Sequence, residues 1–176
     1  MELILKFYEE SKDNLDIKYQ NCNLIIEPSK KMGGIYLGDF VAAKNVEYLK
    51  QNKISCVLTV ADVKSFTLPK SIVPNHLIIP ADDHQSFKLS KYFTTCFKFI
   101  HENRSKGKNV LVHCMAGISR SSTIIIGYLM TNENMSLEIA YKFVRQKRRA
   151  AFPNFGFMKQ LQDYEEKLKI QEKKKI

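Results

Sequence analysis

Residues 109–130 constrain this chain most, because an apolar strand pattern, a short polar loop and an apolar helix pattern follow one another there without a gap. Asn109-Val-Leu-Val-His113 is a β-branched run of strand length, and Thr123-Ile-Ile-Ile-Gly-Tyr-Leu-Met130 is apolar enough to fill a buried helix. Between them, Cys114 and Arg120 bracket five residues, Met115, Ala116, Gly117, Ile118 and Ser119. The loop therefore crosses a strand-to-helix junction. Unpaired N–H groups and the positive end of a helix dipole make such a junction favourable for an anion such as phosphate. The same field favours a thiolate, which makes Cys114 a candidate nucleophile. Arg120 adds a planar fork suited to holding phosphoryl oxygens while charge shifts in a transition state. The competing reading, a buried structural cysteine beside a surface arginine, requires His113, Cys114, Gly117, Arg120 and Ser121 to share this spacing by accident.

The rest of the chain extends this unit into an α/β domain. Strands are expected at 35–37, 54–60, 75–79 and 109–113. Val46 and Leu49 mark a short helix; Phe93, Phe97 and Ile100 mark another, with Ser90 expected as its N-cap and Lys106-Gly107 as its exit. Helical patterns then run over 121–131, from near Ser136 with Ala140, Phe143 and Val144 on one face, and from near Asn154 with Phe157, Leu161, Tyr164 and Leu168. Alternating helices and strands followed by several helices predict a central, mostly parallel sheet of about four to five strands flanked by helices. Residues 67–75, with Pro69 and Pro74, read as a surface loop, and from Lys167 onward apolar periodicity gives way to charge that is expected to fray into solvent. A length of 176 residues suits one domain.

His113-Cys-Met-Ala-Gly-Ile-Ser-Arg-Ser121 resembles the His-Cys-x-x-Gly-x-x-Arg-Ser/Thr signature of the cysteine-dependent protein tyrosine phosphatases, and its wording is similar to that of the dual-specificity branch. The resemblance covers residues 24–168 and is greatest to the small atypical members that consist of a catalytic domain alone. Ile35-Tyr-Leu-Gly-Asp39 resembles the branch's opening strand, Ile78-Ile-Pro-Ala-Asp-Asp83 its acid loop, and Phe152-Pro-Asn-Phe-Gly-Phe157 the start of its last helix. It implies a protein tyrosine phosphatase-like fold, with an N-terminal extension over 1–23, the catalytic domain over 24–168 and a basic tail over 169–176. It also implies hydrolysis of phosphotyrosine and phosphoserine or phosphothreonine esters through a cysteinyl phosphate, with phosphorylated proteins as substrates and a protein kinase as a candidate partner.

The resemblance assigns roles residue by residue. Hydrolysis needs a proton for the departing oxygen, and Asp82 and Asp83 both stand in the acid loop; the family pattern puts Asp83 at the acid position and leaves Asp82 as a solvated or turn-capping carboxylate. Ser121 takes the place of the hydroxyl that helps the thiolate leave, against a plain reading as a helix-start cap. His113 takes that of the histidine that tunes the thiolate, and Asn154 that of the asparagine that supports the phosphate loop, against a plain N-cap. The intervening residues, Met115 to Ser119, are expected to bind the phosphoryl group.

No metal or other cofactor is expected, since Arg120 and backbone N–H groups neutralise the phosphoryl group and His76, His84 and His101 lack metal-site spacing and read as solvated. Neither Gly-x-x-x-x-Gly-Lys nor Gly-x-Gly-x-x-Gly occurs, which argues against kinase and dehydrogenase readings. A net charge of +10 favours anionic ligands of any class. The residues between Cys114 and Arg120 are uncharged, unlike the basic loops of phosphoinositide phosphatases, which favours a singly phosphorylated protein. An RNA 5′-triphosphatase would have to use Lys147-Arg148-Arg149, a run read instead as a solvated helix face, so no nucleic acid is expected. A phosphate-reading scaffold without turnover is opposed by the presence of Cys114, Arg120 and Asp83 together. Cys22, Cys56 and Cys96 form no close pair, and an oxidative disulfide between one of them and Cys114 is the sharper alternative to structural roles. A reactive thiolate, no apolar stretch of membrane-spanning length and no signal-peptide pattern lead to an expected cytoplasmic or nuclear location.

Overall fold

The computed structural model describes residues 2–10, 20–63 and 66–173. Strands β1 (Cys22–Ile26), β2 (Ile35–Gly38), β3 (Ile54–Val60), β4 (Asn75–Ile79) and β5 (Asn109–His113) form one sheet in the order β1-β2-β5-β3-β4. β1 is antiparallel to β2, and the other pairings are parallel. Val110, Leu111 and Val112 are fully buried, as befits a central strand covered on both faces. Their alternation divides the core. Val110 and Val112 join the larger cluster, and Leu111 joins the smaller one with Tyr36, Leu49 and Val57 on the opposite face.

The smaller face is covered by α2 (Phe40–Lys44) and α3 (Val46–Gln51), and the larger one by α4 (Phe93–Arg104), α5 (Arg120–Asn132), α6 (Leu137–Lys147) and α7 (Phe155–Lys173). Every residue of α5 from Arg120 to Met130 is buried, which explains why its sequence is apolar on all sides. Helix starts follow capping chemistry: Ser136 Oγ accepts from the Ile139 N–H at 3.3 Å and Asn154 Oδ1 from the Phe157 N–H at 3.0 Å. Ser90 does not cap α4. It lies inside a 3-10 turn over Leu89–Tyr92, and its own N–H is taken by the Gln160 side chain at 2.9 Å.

Both ends of the chain depart from the sequence expectation. Helix α1 (Glu2–Glu10) buries Ile4 and Phe7 in the larger core, where the Phe7 and Tyr141 rings lie 4.2 Å apart, and the boundary drawn at residue 23 falls inside β1. At the other end α7 continues through Lys173 instead of fraying from Lys167. Lys169 reaches Glu165 at 3.2 Å and Glu166 at 3.0 Å, helix-spaced pairs that offset the loss of apolar periodicity. The last three residues of the expected tail, 174–176, lie outside the described residues. Among the described residues no helix is long and apolar enough to cross a membrane.

The parallel pairing decides where a site can form. Strands β2 to β5 point the same way, so Asp39, Ala61, the acid segment after Ile79 and the loop after His113 all emerge at the carboxyl edge of the sheet, where open α/β sheets bind ligands.

Candidate active site

The loop from Cys114 to Arg120 is turned inside out relative to an ordinary loop, because its carbonyl groups are all bonded on the outside. The Met115 carbonyl accepts from the Phe40 N–H at 3.1 Å, Ile118 from the Phe152 N–H at 2.7 Å and Ser119 from the Thr123 N–H at 3.0 Å. Arg148 takes the carbonyls of Gly117 and Ala116, with Nε donating to the first at 2.8 Å and Nη2 to the second at 3.4 Å. No peptide bond among the described residues is cis, and in a trans peptide the C=O and the following N–H point opposite ways, so the N–H groups of residues 116–120 are turned inward. Gly117 confirms the direction. Its N–H donates to Cys114 Sγ at 3.2 Å. Its φ of +64° lies in the left-handed region, and a Cβ there would approach the Gly38 carbonyl oxygen to 2.6 Å, so only glycine fits.

Cys114 is 1 % exposed at the floor of this ring. Ser121, in the first turn of α5, donates its hydroxyl to Cys114 Sγ at 3.2 Å, so sulfur faces two donors and the positive end of a buried helix. The remaining cysteines are free thiols of another kind. Burial pushes Cys22 up to about 11 and Cys96 up to about 12 and raises Cys56, which keeps these thiols protonated at neutral pH and weak as nucleophiles.

Arg120 is 9 % exposed and donates from Nη1 to the Ala81 carbonyl at 2.9 Å. Its Nε is buried without a hydrogen-bond partner among the described residues and stands 3.5 Å from Asp83 Oδ2. Asp83 Oδ1 accepts from Ser119 Oγ at 2.7 Å and from Asn154 Nδ2 at 2.9 Å. Asp82 is exposed and, among the described residues, makes none of these contacts. Asn154 therefore serves at once as an α7 cap and as a tether between Asp83 and the loop, since its backbone N–H also donates to Ser119 Oγ at 3.1 Å.

His113 is fully buried beneath the loop, with Nδ1 3.2 Å from the Cys114 carbonyl and Nε2 2.7 Å from Thr59 Oγ1. Thr59 Oγ1 also lies 2.8 Å from His76 Nε2, and the Phe66 ring edge covers both imidazoles. His76 is thus half-buried and bonded rather than solvated, because β4 pairs it with Val57, two residues before Thr59 on the same face of the sheet. Burial lowers His113 from its ordinary 6.5 to about 4, and His76 is lowered by the same cause. The unfolded chain therefore takes up this proton first as pH falls, so stability is expected to decline from pH 6.5 to about pH 4. The full effect corresponds to about 3 kcal/mol, read from urea unfolding between about pH 7 and about pH 4.5, with a shallower decline in His113→Gln.

The spacing of residues 113–121 places them in one loop, but nothing in that spacing announces the buttress of that loop. Arg148 was read as part of a solvated basic face, yet it is 2 % exposed and its Nη1 also donates to the Gln20 carbonyl at 2.6 Å and to Asn23 Oδ1 at 2.7 Å. The signal was present. Leu137, Tyr141 and Val144 form the buried face of α6, and the same spacing carried one step past its end falls on 148, the C-cap residue.

With this geometry in place, comparison with known proteins is decisive. The family model described as "Dual specificity phosphatase, catalytic domain" matches residues 35–167. The chain belongs to the dual-specificity phosphatases. It is 42 % identical over 137 residues to "Dual specificity protein phosphatase 22" of Mus musculus and of Homo sapiens, covering 78 % of this chain and 73 % of those proteins. To "Dual specificity protein phosphatase 1" of Arabidopsis thaliana it is 39 % identical over 143 residues, covering 81 % of this chain and 71 % of that one. The crystal structure of DUSP15 superposes with a TM-score of 0.72 at 34 % identity, covering 84 % of this chain and 96 % of that one. This dual-specificity phosphatase is a cysteine-dependent protein phosphatase of the small atypical type, and its sheet, with helices on both faces, is the protein tyrosine phosphatase-like fold.

Proposed function

We propose that Cys114 is the nucleophile, Arg120 the phosphoryl-binding cation and Asp83 the general acid and base of this phosphatase. The observation that carries this reading is the buried Arg120 Nε, a donor with no hydrogen-bond partner among the described residues, which ends the loop that turns the Gly117 N–H onto Cys114 and stands 3.5 Å from the Asp83 carboxylate. Leaving such a donor unsatisfied costs about 1–3 kcal/mol, which a phosphoryl oxygen relieves. The residues suit a dianionic phosphate monoester without help from a metal, because the guanidinium fork and the inward N–H groups of Ala116 to Arg120 together supply the opposing charge.

The reaction runs in two steps. The Cys114 thiolate attacks phosphorus and the ester oxygen departs with a proton from Asp83, leaving a cysteinyl phosphate and a free hydroxyl on the substrate. Oδ1 of Asp83 already accepts from Ser119 and Asn154, so Oδ2 is the oxygen that passes the proton. Asp83, now a carboxylate, then takes a proton from the attacking water, and inorganic phosphate leaves as the thiolate reforms under the Ser121 hydroxyl. His113 holds the Cys114 carbonyl as a neutral imidazole and is no proton carrier at pH 7.

The substrates that fit are phosphotyrosine and phosphoserine or phosphothreonine in proteins, a kinase among them, met in the cytoplasm or nucleus. The uncharged loop residues Met115 to Ser119 favour a single phosphate over a phosphoinositide headgroup. The catalytic unit proposed over residues 24–168 takes in the whole of β1 from Cys22, with the α1 helix packed on it. Asp83→Asn is expected to lower kcat/KM for a phosphothreonine peptide by about a hundredfold or more. Asp82→Asn is expected to leave it within about twofold of the parent, as for a surface carboxylate outside the site. Equal losses in the two variants would remove Asp83 from the acid role.

A further inference from the structure

The segment that carries Asp83 is fastened at both ends, and the far fastener is a side chain with no part in the chemistry. Upstream, the Ala81 carbonyl is held by Arg120. Downstream, Gln160 on α7 bridges the exit of the segment, with Nε2 donating to the Phe87 carbonyl at 2.8 Å and Oε1 accepting from the Ser90 N–H at 2.9 Å. Between them the Gln85 backbone lies directly on Gly156, where a Cβ would collide with the Gln85 carbonyl oxygen. Positions 156 and 160 are one helical turn apart, so one face of α7 carries both the glycine that lets the segment approach and the amide that ties it down. A glutamine suits this place because its amide both donates and accepts, as two peptide groups on one strand of chain demand.

We propose that Gln160 is a positioning residue that braces the acid segment on α7 and so sets the reach of Asp83 into the phosphate loop. This rests on Asp83 being the general acid. The brace matters in proportion to how much the departing oxygen needs a proton. A weakly basic phenol leaves with little help, whereas an alkyl hydroxyl such as that of threonine leaves only as the neutral alcohol. Loss of the brace lets Asp83 move off its position, and a misplacement of about 1 Å costs on the order of a hundredfold where the acid is needed. Gln160 is only partly buried on a helix surface, and alanine is the best helix former, so the fold tolerates its removal.

The test is kcat/KM along a series of aryl phosphates with phenols of rising basicity, ending in a phosphothreonine peptide. The proteins compared are the parent, Gln160→Ala, Gln160→Glu, Asp83→Asn and the double variant Asp83→Asn/Gln160→Ala. Gln160→Ala is expected to lose about two- to threefold with the most activated ester and tenfold to a hundredfold with phosphothreonine, a steepening that follows Asp83→Asn. The double variant is expected to be no slower than Asp83→Asn alone, since the brace has nothing left to position. Gln160→Glu retains the acceptor for Ser90 and loses the donor to Phe87, and falls between parent and alanine variant. A uniform loss along the series, or a further loss in the double variant, would overturn the brace in favour of a general effect on folding. Parent-like behaviour of both Gln160 variants beside a steep Asp83→Asn would overturn it while leaving the acid assignment intact. A flat response in Asp83→Asn itself would remove the acid assignment and the brace with it.

Discussion

Cys114→Ser is expected to abolish turnover of aryl phosphates and phosphopeptides while leaving the protein folded and able to bind them. The exchange replaces the sulfur of a residue that is 1 % exposed with a smaller oxygen, and the Gly117 N–H and Ser121 O–H that faced it can donate to the new hydroxyl. What is lost is the nucleophile. A serine hydroxyl ionises far less readily than a thiol, and the adjacent His113 is no base for it, because its Nδ1 and Nε2 are engaged by the Cys114 carbonyl and Thr59. Removing a covalent nucleophile from a hydrolase lowers kcat on the order of 10⁵-fold or more. Binding survives because the loop N–H groups and Arg120 are untouched. Acid-quenched parent protein should carry a labelled phosphoryl group and Cys114→Ser none, with chelator leaving the parent rate unchanged. A variant retaining a rate within about tenfold of the parent would sink the thiolate mechanism.

The other thiols sharpen this experiment. Cys22, Cys56 and Cys96 could in principle mimic an active cysteine in a labelling assay, but burial raises all of them, and alkylation near neutral pH should track Cys114 alone.

How much of this was legible in the sequence follows from which interactions are local. The phosphate loop was legible because its strand, its bracketed cysteine and arginine and its buried helix lie within residues 109–130, and each carries its own periodicity or spacing. The strands at 35–37, 54–60 and 75–79 were legible for the same reason, as short runs bounded by turn residues. Strand β1 was not, since its apolar run Leu24-Ile-Ile26 is only three residues long, too short to carry an alternation of its own, and only Ile25 is buried. Ser90 was misread because its backbone need is met from 70 residues away by Gln160, a partner that no local pattern announces. The Thr59 link between His113 and His76 is equally non-local, formed only when β3 lies between β4 and β5.

Arg148 is the strongest case of that kind, and its replacement is expected to be the most destructive change outside the nucleophile. Its guanidinium fills a gap between the loop and the N-terminal strand, donating to the carbonyls of Ala116, Gly117 and Gln20 and to Asn23 Oδ1. Those bonds hold the Ala116 and Gly117 carbonyls outward, and the outward carbonyls turn the next N–H groups toward the phosphate. Arg148→Met keeps the length and the burial but leaves buried acceptors without donors, at about 1–3 kcal/mol each. A net loss of about 3–5 kcal/mol follows, which for a chain of this size lowers Tm by roughly 6–20 °C. Activity should fall further than stability explains, by on the order of a thousandfold at a temperature where the variant is fully folded, because a loop that relaxes by an ångström loses its aim on the transition state. Arg148→Lys separates the two contributions. It keeps the charge but has no fork to span Gly117 and Gln20 together, so it should recover part of the stability and little of the rate. Equal recovery of both by lysine would make Arg148 a buried counter-charge rather than the scaffold of the loop.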